Sequence, residues 1–206
     1  MKHLRILTAA AVIAVLLCCR GRTELQQTCQ IAGISVDRGV RAKYSFGFEI
    51  ADVYHADRQT VSSYLLSTEG DTLRDALAAL DRVTDGTPVL QHCGLILLQK
   101  EIAARPADIC AVLTRDWSGQ SPYVAVADRG SAAELLGRRE QQDLRARSVR
   151  EHLKNSAVTA GIETPHLEQL TAAAGRGRPC DLPSLAPSEK GSRLAGTFRA
   201  GEKYEK

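Results

Sequence analysis

The most constraining feature of this 206-residue chain is a short run with no polar side chain, Gly94-Leu95-Ile96-Leu97-Leu98. Successive side chains of a β-strand point to opposite sides of its sheet, so a strand this apolar must be covered on both faces. We therefore expect a buried strand here. The neighbouring segments should supply the rest of the sheet and the helices that cover it.

Three strands and one helix are predicted before this run. Residues 30–36 are mostly apolar, and residues 44–50 place aromatic or apolar side chains at alternate positions, which together predict a hairpin. Residues 63–68 form a third candidate strand. A helix is predicted to begin after Thr72, because the Thr72 hydroxyl and the Asp75 carboxylate can form a capping box for its free amide groups.

The segments after the run predict one more strand and two more helices. Turn-forming residues at 85–88 separate the first helix from the apolar strand. A helix is expected over Pro106–Thr114, a strand over Tyr123–Ala127, and a second capped helix after Ser131. The order β-β-β-α-β-α-β-α indicates a mixed α/β (α+β) domain with a partly antiparallel sheet and helices packed on it.

The composition changes near residue 137. Seven of the nine aromatic residues precede that point. The segment 141–160 is charged, with apolar positions at Leu144, Val149 and Leu153 that are too sparse for a broad apolar face, so it predicts a solvated helix.

The last part of the chain lacks an obvious apolar pattern. Residues 175–191 are rich in Gly, Pro and Ser and are typical of a linker. We therefore expect residues 172–206 to be poorly ordered, and Phe198 and Tyr204 to have no core to join.

The amino terminus has the pattern of an export signal. Lys2 and Arg5 precede an apolar stretch, Ile6–Leu17, of the length of a signal h-region. A helix that crosses a bilayer needs about 20 apolar residues, and Arg20 ends the stretch well short of that. The sequence predicts a lipoprotein signal peptide at residues 1–18.

Cys19 is the predicted site of lipid attachment. The small Cys18 precedes it, whereas the larger Leu17 precedes Cys18. An ordinary secretory signal or a non-lipidated anchor is the alternative, because cysteine is less usual than Gly, Ala or Ser before a lipidated cysteine.

Four of the six cysteines remain after this assignment. They form no C-x-x-C pair and have no histidine at zinc-finger spacing, so a zinc site is not indicated. Most lie among apolar residues, where cysteine behaves as a small buried side chain. A disulfide is possible in an exported protein, but the sequence identifies no pair among them: Cys29, Cys93, Cys110 and Cys180.

Nothing in the sequence indicates a cofactor, a metal or a nucleic acid. The net charge of +3 comes from 27 basic and 24 acidic side chains, with no basic block interleaved with aromatic residues. No glycine-rich phosphate loop is present. Asp52, His55 and Asp57 could ligate a cation, but a loop with scattered polar residues is the usual explanation and no second ligand cluster appears.

Two arrangements could suggest an enzyme. His92 beside Cys93 suggests a thiol nucleophile, but adjacent residues of a strand point to opposite faces, so a structural histidine is favoured. Ser121 lies in Gly119-Gln120-Ser121-Pro122-Tyr123, which lacks the second glycine of a nucleophile elbow and has proline where the helix should begin. We expect a protein without catalytic residues.

Five short motifs in a fixed order resemble the Ger(x)C proteins, the lipoprotein C subunits of spore germinant receptors. The resemblance covers residues 19–137, and Arg20, Gly21 and Gln91 depart from the family pattern. The matching segments are Cys19–Leu25, Gly33–Asp37, Glu69–Leu77, the strand segment from His92 to Glu101, and Arg115-Asp116.

This resemblance implies a non-catalytic subunit with a lipid anchor at Cys19. It implies a place on the outer face of the cytoplasmic (inner spore) membrane and two partners, the membrane-embedded A and B subunits of the receptor. Residues 19–137 would be the N-terminal-like domain, and residues 138–206 a divergent tail that resembles the start of a C-terminal domain. No small-molecule ligand can be assigned.

Two other functions stay open at this point. One is a generic exported binding lipoprotein unrelated to germination, which the absence of neighbouring A and B subunit genes would favour. The other is a small exported hydrolase that uses His92, which loss of an activity on mutation of His92 would favour.

Overall fold

Eight strands form one mixed sheet in the computed structural model, which describes residues 28–52, 62–137, 145–188 and 191–201. The strands are β1 (Thr28–Arg38), β2 (Tyr44–Asp52), β3 (Ser62–Gly70), β4 (Thr87–Val89), β5 (Leu95–Gln99), β6 (Tyr123–Ala127), β7 (Cys180–Ser188) and β8 (Gly191–Ala200).

Six helices are present among the described residues. They are α1 (Leu73–Asp81), α2 (Lys100–Ala103), α3 (Pro106–Thr114), α4 (Ala132–Gly137), α5 (Arg145–Ala160) and α6 (Leu167–Gly175). None of the helices in the described ranges is both long and apolar enough to span a bilayer.

The strand order is β3-β2-β1-β5-β6-β7-β8, and the short β4 pairs with the start of β1. The central pairs β1–β5, β5–β6 and β6–β7 are parallel. The outer pairs β1–β2, β2–β3 and β7–β8 are antiparallel. The sheet is thus parallel in its middle, with an antiparallel hairpin at each side.

Strand β5 has buried side chains on both faces of the sheet, as its sequence predicts. Ile96 and Leu98 point to one face, where α1, α3 and α6 pack, and all three helices contribute fully buried side chains. Leu95 and Leu97 point to the other face, which α4 and α5 cover. The mixed, partly antiparallel sheet with helices packed on it is confirmed.

The predicted local signals are also confirmed. The hairpin forms between β1 and β2, and the helices and strands expected at 106–114 and 123–127 have those bounds. At the start of α1, the Asp75 amide donates to Thr72 Oγ1 at 3.2 Å, and the Thr72 amide donates to Asp75 Oδ2 at 3.1 Å.

Helix α5 exists, but the prediction that it is solvated is wrong. Ala146, Val149 and Leu153 are buried against the second face of the sheet. These positions are spaced i, i+3 and i+7, so even a narrow apolar stripe suffices to dock a helix with an otherwise charged surface. Leu144 lies outside the described residues.

The expected linker and poorly ordered tail are also wrong. Residues 180–188 and 191–200 form β7 and β8, which extend the sheet beyond the change of composition at residue 137. Phe198 is buried in the core of the first face beside Leu182, its partner in the pairing of these strands. Tyr204, the predicted signal peptide and Cys19 lie outside the described residues.

Candidate functional site

The turn between β1 and β2 is held in one shape by two neighbouring carboxylates. The amides of Val40 and Arg41 donate to the two carboxylate oxygens of Glu69, each at 2.9 Å. The Lys43 amide donates to Asp71 Oδ1 at 2.8 Å. The hydrogen bonds from the amides of Val40 and Arg41 lower the pKa of Glu69 because they stabilise its charged form. The turn is therefore preorganised.

Val40 stands at the tip of this turn with 93% of its surface exposed. Isolated exposed apolar side chains are common on proteins and need no special explanation. This one, however, is carried by a fixed turn that forms one wall of a groove.

The groove has a volume of about 270 Å³ and lies between the turn and helices α2 and α3. This volume is below the usual range for small-molecule pockets, roughly 300–1,000 Å³, so it fits a side chain or a short segment better than a cofactor. The lining residues carry both signs of charge around an apolar floor: Arg38, Gly39, Ala42, Lys43, Tyr44, Glu101, Ile102, Arg105 and Asp108.

The position of the groove follows from the sheet topology. Parallel strands β1 and β5 end side by side at Arg38 and Gln99, where the Arg38 amide donates to Gln99 Oε1 at 2.9 Å. Crevices at the carboxyl ends of parallel strands are the usual binding positions in α/β sheets. We call this region the carboxyl-edge groove.

Asp37, from the second sequence motif, has a structural role next to the groove. Its Oδ1 accepts from the Ala132 amide at 2.7 Å, and its Oδ2 accepts from the Ala133 amide at 2.9 Å and from Ser131 Oγ at 3.0 Å. The carboxylate thus caps the first turn of α4, where a negative charge is stabilised.

Two further motif residues are structural in the same way. Glu69 holds the β1–β2 turn. Asp116 follows α3 and forms an ion pair with Arg74 of α1, with Nη2 and Oδ1 2.5 Å apart. Both carboxylates therefore have structural contacts within the domain.

Glu101 differs from these residues. Its side chain is exposed, lines the carboxyl-edge groove and makes no hydrogen bond or ion pair with the rest of the described chain. A motif residue without a structural contact is the best candidate for contact with another molecule.

The histidine–cysteine arrangement is not assembled as a nucleophile. His92 lies exposed in a turn, whereas Cys93 is buried and its thiol points to the Leu95 carbonyl at 3.5 Å. Burial raises the pKa of Cys93 to about 12, so the thiol stays protonated near neutral pH.

Ser121 is likewise occupied by local structure. Its hydroxyl oxygen accepts from the Glu168 amide at 3.1 Å, in the first turn of α6. The ring of His166 lies against the ring of Tyr123 at a tilt of 34°, and its Nδ1 is 2.7 Å from the Ser121 carbonyl oxygen, which can only accept a hydrogen bond. His166 therefore directs a proton to the backbone and not to the serine hydroxyl.

The possible cation ligands are only partly testable. His55 and Asp57 lie outside the described residues, and so does the side chain of Asp52. Within the described ranges, no cluster of three or more His, Cys, Asp or Glu side chains could hold a metal ion.

Sequence reasoning found Glu101 through its motif but missed the rest of the groove. Arg105 and Asp108 belong to the start of α3, and Lys43 belongs to a hairpin turn some 60 positions earlier in the chain. None of these residues carries a local sequence signal, and the exposed valine at the tip of the adjoining turn carries only a weak one.

A family model described as "Spore germination protein N-terminal domain" matches residues 21–175, well over half of the chain. Comparison with curated proteins gives no significant match, and neither does comparison with solved structures.

Proposed function

The chain belongs to the family of spore germination proteins, and from this membership we propose that it is an exported, lipid-anchored, non-catalytic subunit of a nutrient germinant receptor. The family match over residues 21–175 is the observation that carries the proposal. The apolar amino terminus with Cys19 adds the anchor, and the membrane-embedded A and B subunits would be its partners.

The anchor and the carboxyl-edge groove would lie at opposite ends of β1. Eight residues separate Cys19 from Thr28, where β1 begins, and such a tether spans at most about 30 Å. The eleven residues of β1 add about 35 Å before the groove. An anchor at Cys19 on the outer face of the cytoplasmic membrane therefore leaves the groove open to a protein partner.

Replacing Cys19 by alanine is expected to move the protein from the membrane to the soluble fraction. A diacylated cysteine supplies two acyl chains, each worth about 0.8 kcal/mol per buried methylene, and the variant loses both. The measurement is fractionation of spore membranes followed by immunoblotting, together with mass analysis of the amino-terminal peptide.

Cys18→Ala is the matched control. It changes the neighbouring cysteine to a small residue that is common before a lipidated cysteine, so lipid attachment and membrane location should be retained. A Cys19→Ala protein that stays in the membrane without lipid would instead identify the segment Ile6–Leu17 as the anchor.

We further propose that the carboxyl-edge groove contacts the receptor partner. Three observations support this: Glu101 makes no hydrogen bond or ion pair within the described ranges, the turn that forms one wall is preorganised, and Val40 at the tip of that turn is available to be buried. Contact residues that are fixed before binding lose little conformational entropy when the complex forms.

Val40→Ser is expected to reduce the recovery of partner subunits about tenfold. Burying a valine side chain contributes about 1.5 kcal/mol or more, which corresponds to a tenfold change in affinity. The measurement is co-purification of the tagged full chain from detergent-solubilised membranes, with partners quantified by mass spectrometry.

Val83→Ser is its control, because Val83 is also exposed, at 66%, but lies near β4 and so beside the amino end of β1. It should leave recovery unchanged. If the two variants behave alike, the tip of the turn beside the groove is not part of the contact. If no membrane-embedded subunit is recovered with the unmodified chain, the receptor role fails and a generic exported binding lipoprotein is the better description.

A further inference from the structure

The end of β8 lies against the helices that wall the carboxyl-edge groove. Gly201, the residue after β8, packs on the first residue of α3, because a Cβ at Gly201 would be 3.2 Å from Pro106 Cγ. Lys100 Nζ, at the start of α2, is 5.8 Å from the centre of the Phe198 ring. Since α2 and α3 both line the groove, the chain leaves β8 close to it.

The residues that follow β8 can reach the groove. Gly201 has a φ of 80°, a backbone conformation that glycine adopts without steric cost, and so it turns the chain as it leaves the strand. Residues 202–206 come next, and five residues span at most about 18 Å. The path is short, because Arg105 precedes Pro106 and its amide donates to the Ile102 carbonyl at 3.1 Å. Arg105 and Ile102 both line the groove.

The charged side chains of the groove are available to a ligand. Three are basic and two are acidic, and none forms an ion pair within the described ranges: Arg38, Lys43, Glu101, Arg105 and Asp108. Between them lie the nearly buried side chains of Tyr44 and Ile102. The groove therefore offers both signs of charge around an apolar floor.

The segment 202–206 has the complementary chemistry. Its sequence, Glu-Lys-Tyr-Glu-Lys, places one acidic and one basic side chain on each side of Tyr204. An aromatic ring buries a large apolar area and packs well on another ring, which suits the floor of the groove. Charges of both signs at the rim would fix the register of the segment.

We propose that residues 202–206 dock in the carboxyl-edge groove of the same molecule, with Tyr204 on its floor. A segment joined to its site by so short a link has an effective concentration in the millimolar range, so even a weak contact keeps it docked. The receptor partner, whose contact with this groove is proposed above, then has to displace the segment. This competition rests on the proposed function, whereas the docking does not.

Photo-cross-linking tests the docking. Benzoylphenylalanine replaces Tyr204 in the full chain, which is purified in detergent, diluted, irradiated and digested with trypsin. The expected product is a single chain in which residue 204 is joined to the peptide 101–115, at a position between residues 101 and 108. Benzoylphenylalanine in place of the exposed Val83, near β4 and the amino end of β1, is the matched control and should give no product with residues 101–108.

Tyr204→Ser tests the competition. The apparent affinity for a partner scales with the fraction of molecules whose groove is free, so release of the segment should raise the recovery of partner subunits about three- to tenfold. Tyr64→Ser is the matched control, because Tyr64 is an exposed tyrosine of β3 that pairs with Ile50, at the end of β2 away from the groove. It should leave recovery unchanged.

The two parts of the proposal can fail separately. Cross-links that join residue 204 only to residues outside the groove, or only to a second molecule, would overturn the docking. Unchanged recovery of partner subunits with Tyr204→Ser would overturn the competition. Failure of the receptor role gives a different result, in which no membrane-embedded subunit is recovered with any variant while the cross-link still forms in the purified chain.

Discussion

Replacing Asp37 by alanine is expected to lower the free energy of unfolding by about 2–4 kcal/mol. The 7% exposed carboxylate accepts three hydrogen bonds, from the amides of Ala132 and Ala133 and from the Ser131 hydroxyl. Its loss leaves the first turn of α4 without its charged cap. Urea unfolding followed by the fluorescence of Trp117, the single tryptophan, measures the change.

Asp71→Ala is the matched control for this substitution. Asp71 also accepts a backbone amide, from Lys43 at 2.8 Å, but it is exposed and water can replace it. We expect a loss of less than about 1 kcal/mol. If Asp37→Ala costs no more than Asp71→Ala, the motif that contains Asp37 has a role other than capping α4.

The contact made by Asp37 shows how far local sequence signals reach. The cap residue Ser131 is recognisable from its own neighbours, and its hydroxyl does accept from the Ala133 amide at 3.1 Å. The second and stronger acceptor, Asp37, comes from 94 positions earlier in the chain. A contact of that kind depends on the order of strands in the sheet, which no local pattern specifies.

Glu49 repeats this arrangement on the same face of the sheet. The buried carboxylate accepts from the Ala146 amide at the start of α5 and from Ser63 Oγ at 2.7 Å. Gly33 lies beneath that helix, since a Cβ there would come within 2.3 Å of Ala146 Cβ. The sequence of α5 predicts a helix, but the residues that dock it belong to β1, β2 and β3.

The prediction of a linker fails because the residues that suggest a linker also occur in strands. Pro183 and Pro187 lie within β7, whose pairing with β6 is short, so little of the strand needs an amide donor on that side. Leu182 and Leu185 are fully buried on opposite faces of the sheet. Composition averages hide such an alternation.

The candidate site was predictable only in part for a related reason. Glu101 was included through a motif in the strand-to-helix segment, whereas the groove it lines is completed by a hairpin turn and a second helix. Exposed residues such as Val40 and Lys43 carry no periodic signal, because turns have none. The site is a product of topology, and a single sequence gives topology least directly.

Replacing Phe198 by alanine is the second substitution with a large expected effect, a loss of about 2–4 kcal/mol in the free energy of unfolding. The ring is 6% exposed and packs in the core of the first face. Truncation removes buried apolar surface and leaves a cavity, although an edge strand can relax to fill part of it. Urea unfolding measures the loss, and the slope of the transition should not change.

Thr197→Ala is the control for a substitution in the same strand at an exposed position, because Thr197 is the exposed neighbour of Phe198 in β8. It should change the free energy of unfolding by less than about 0.5 kcal/mol. Lys100→Ala measures the contribution of the cation that contacts the Phe198 ring. Lys100 Nζ lies 5.8 Å from the ring centroid, and this contact contributes at most about 1 kcal/mol. If all three variants unfold like the unmodified chain, the β7–β8 hairpin is not part of the cooperative fold. A large loss for Phe198→Ala alone would show that β8 helps to complete the core of the domain, although it lies beyond the residues that the family model matches.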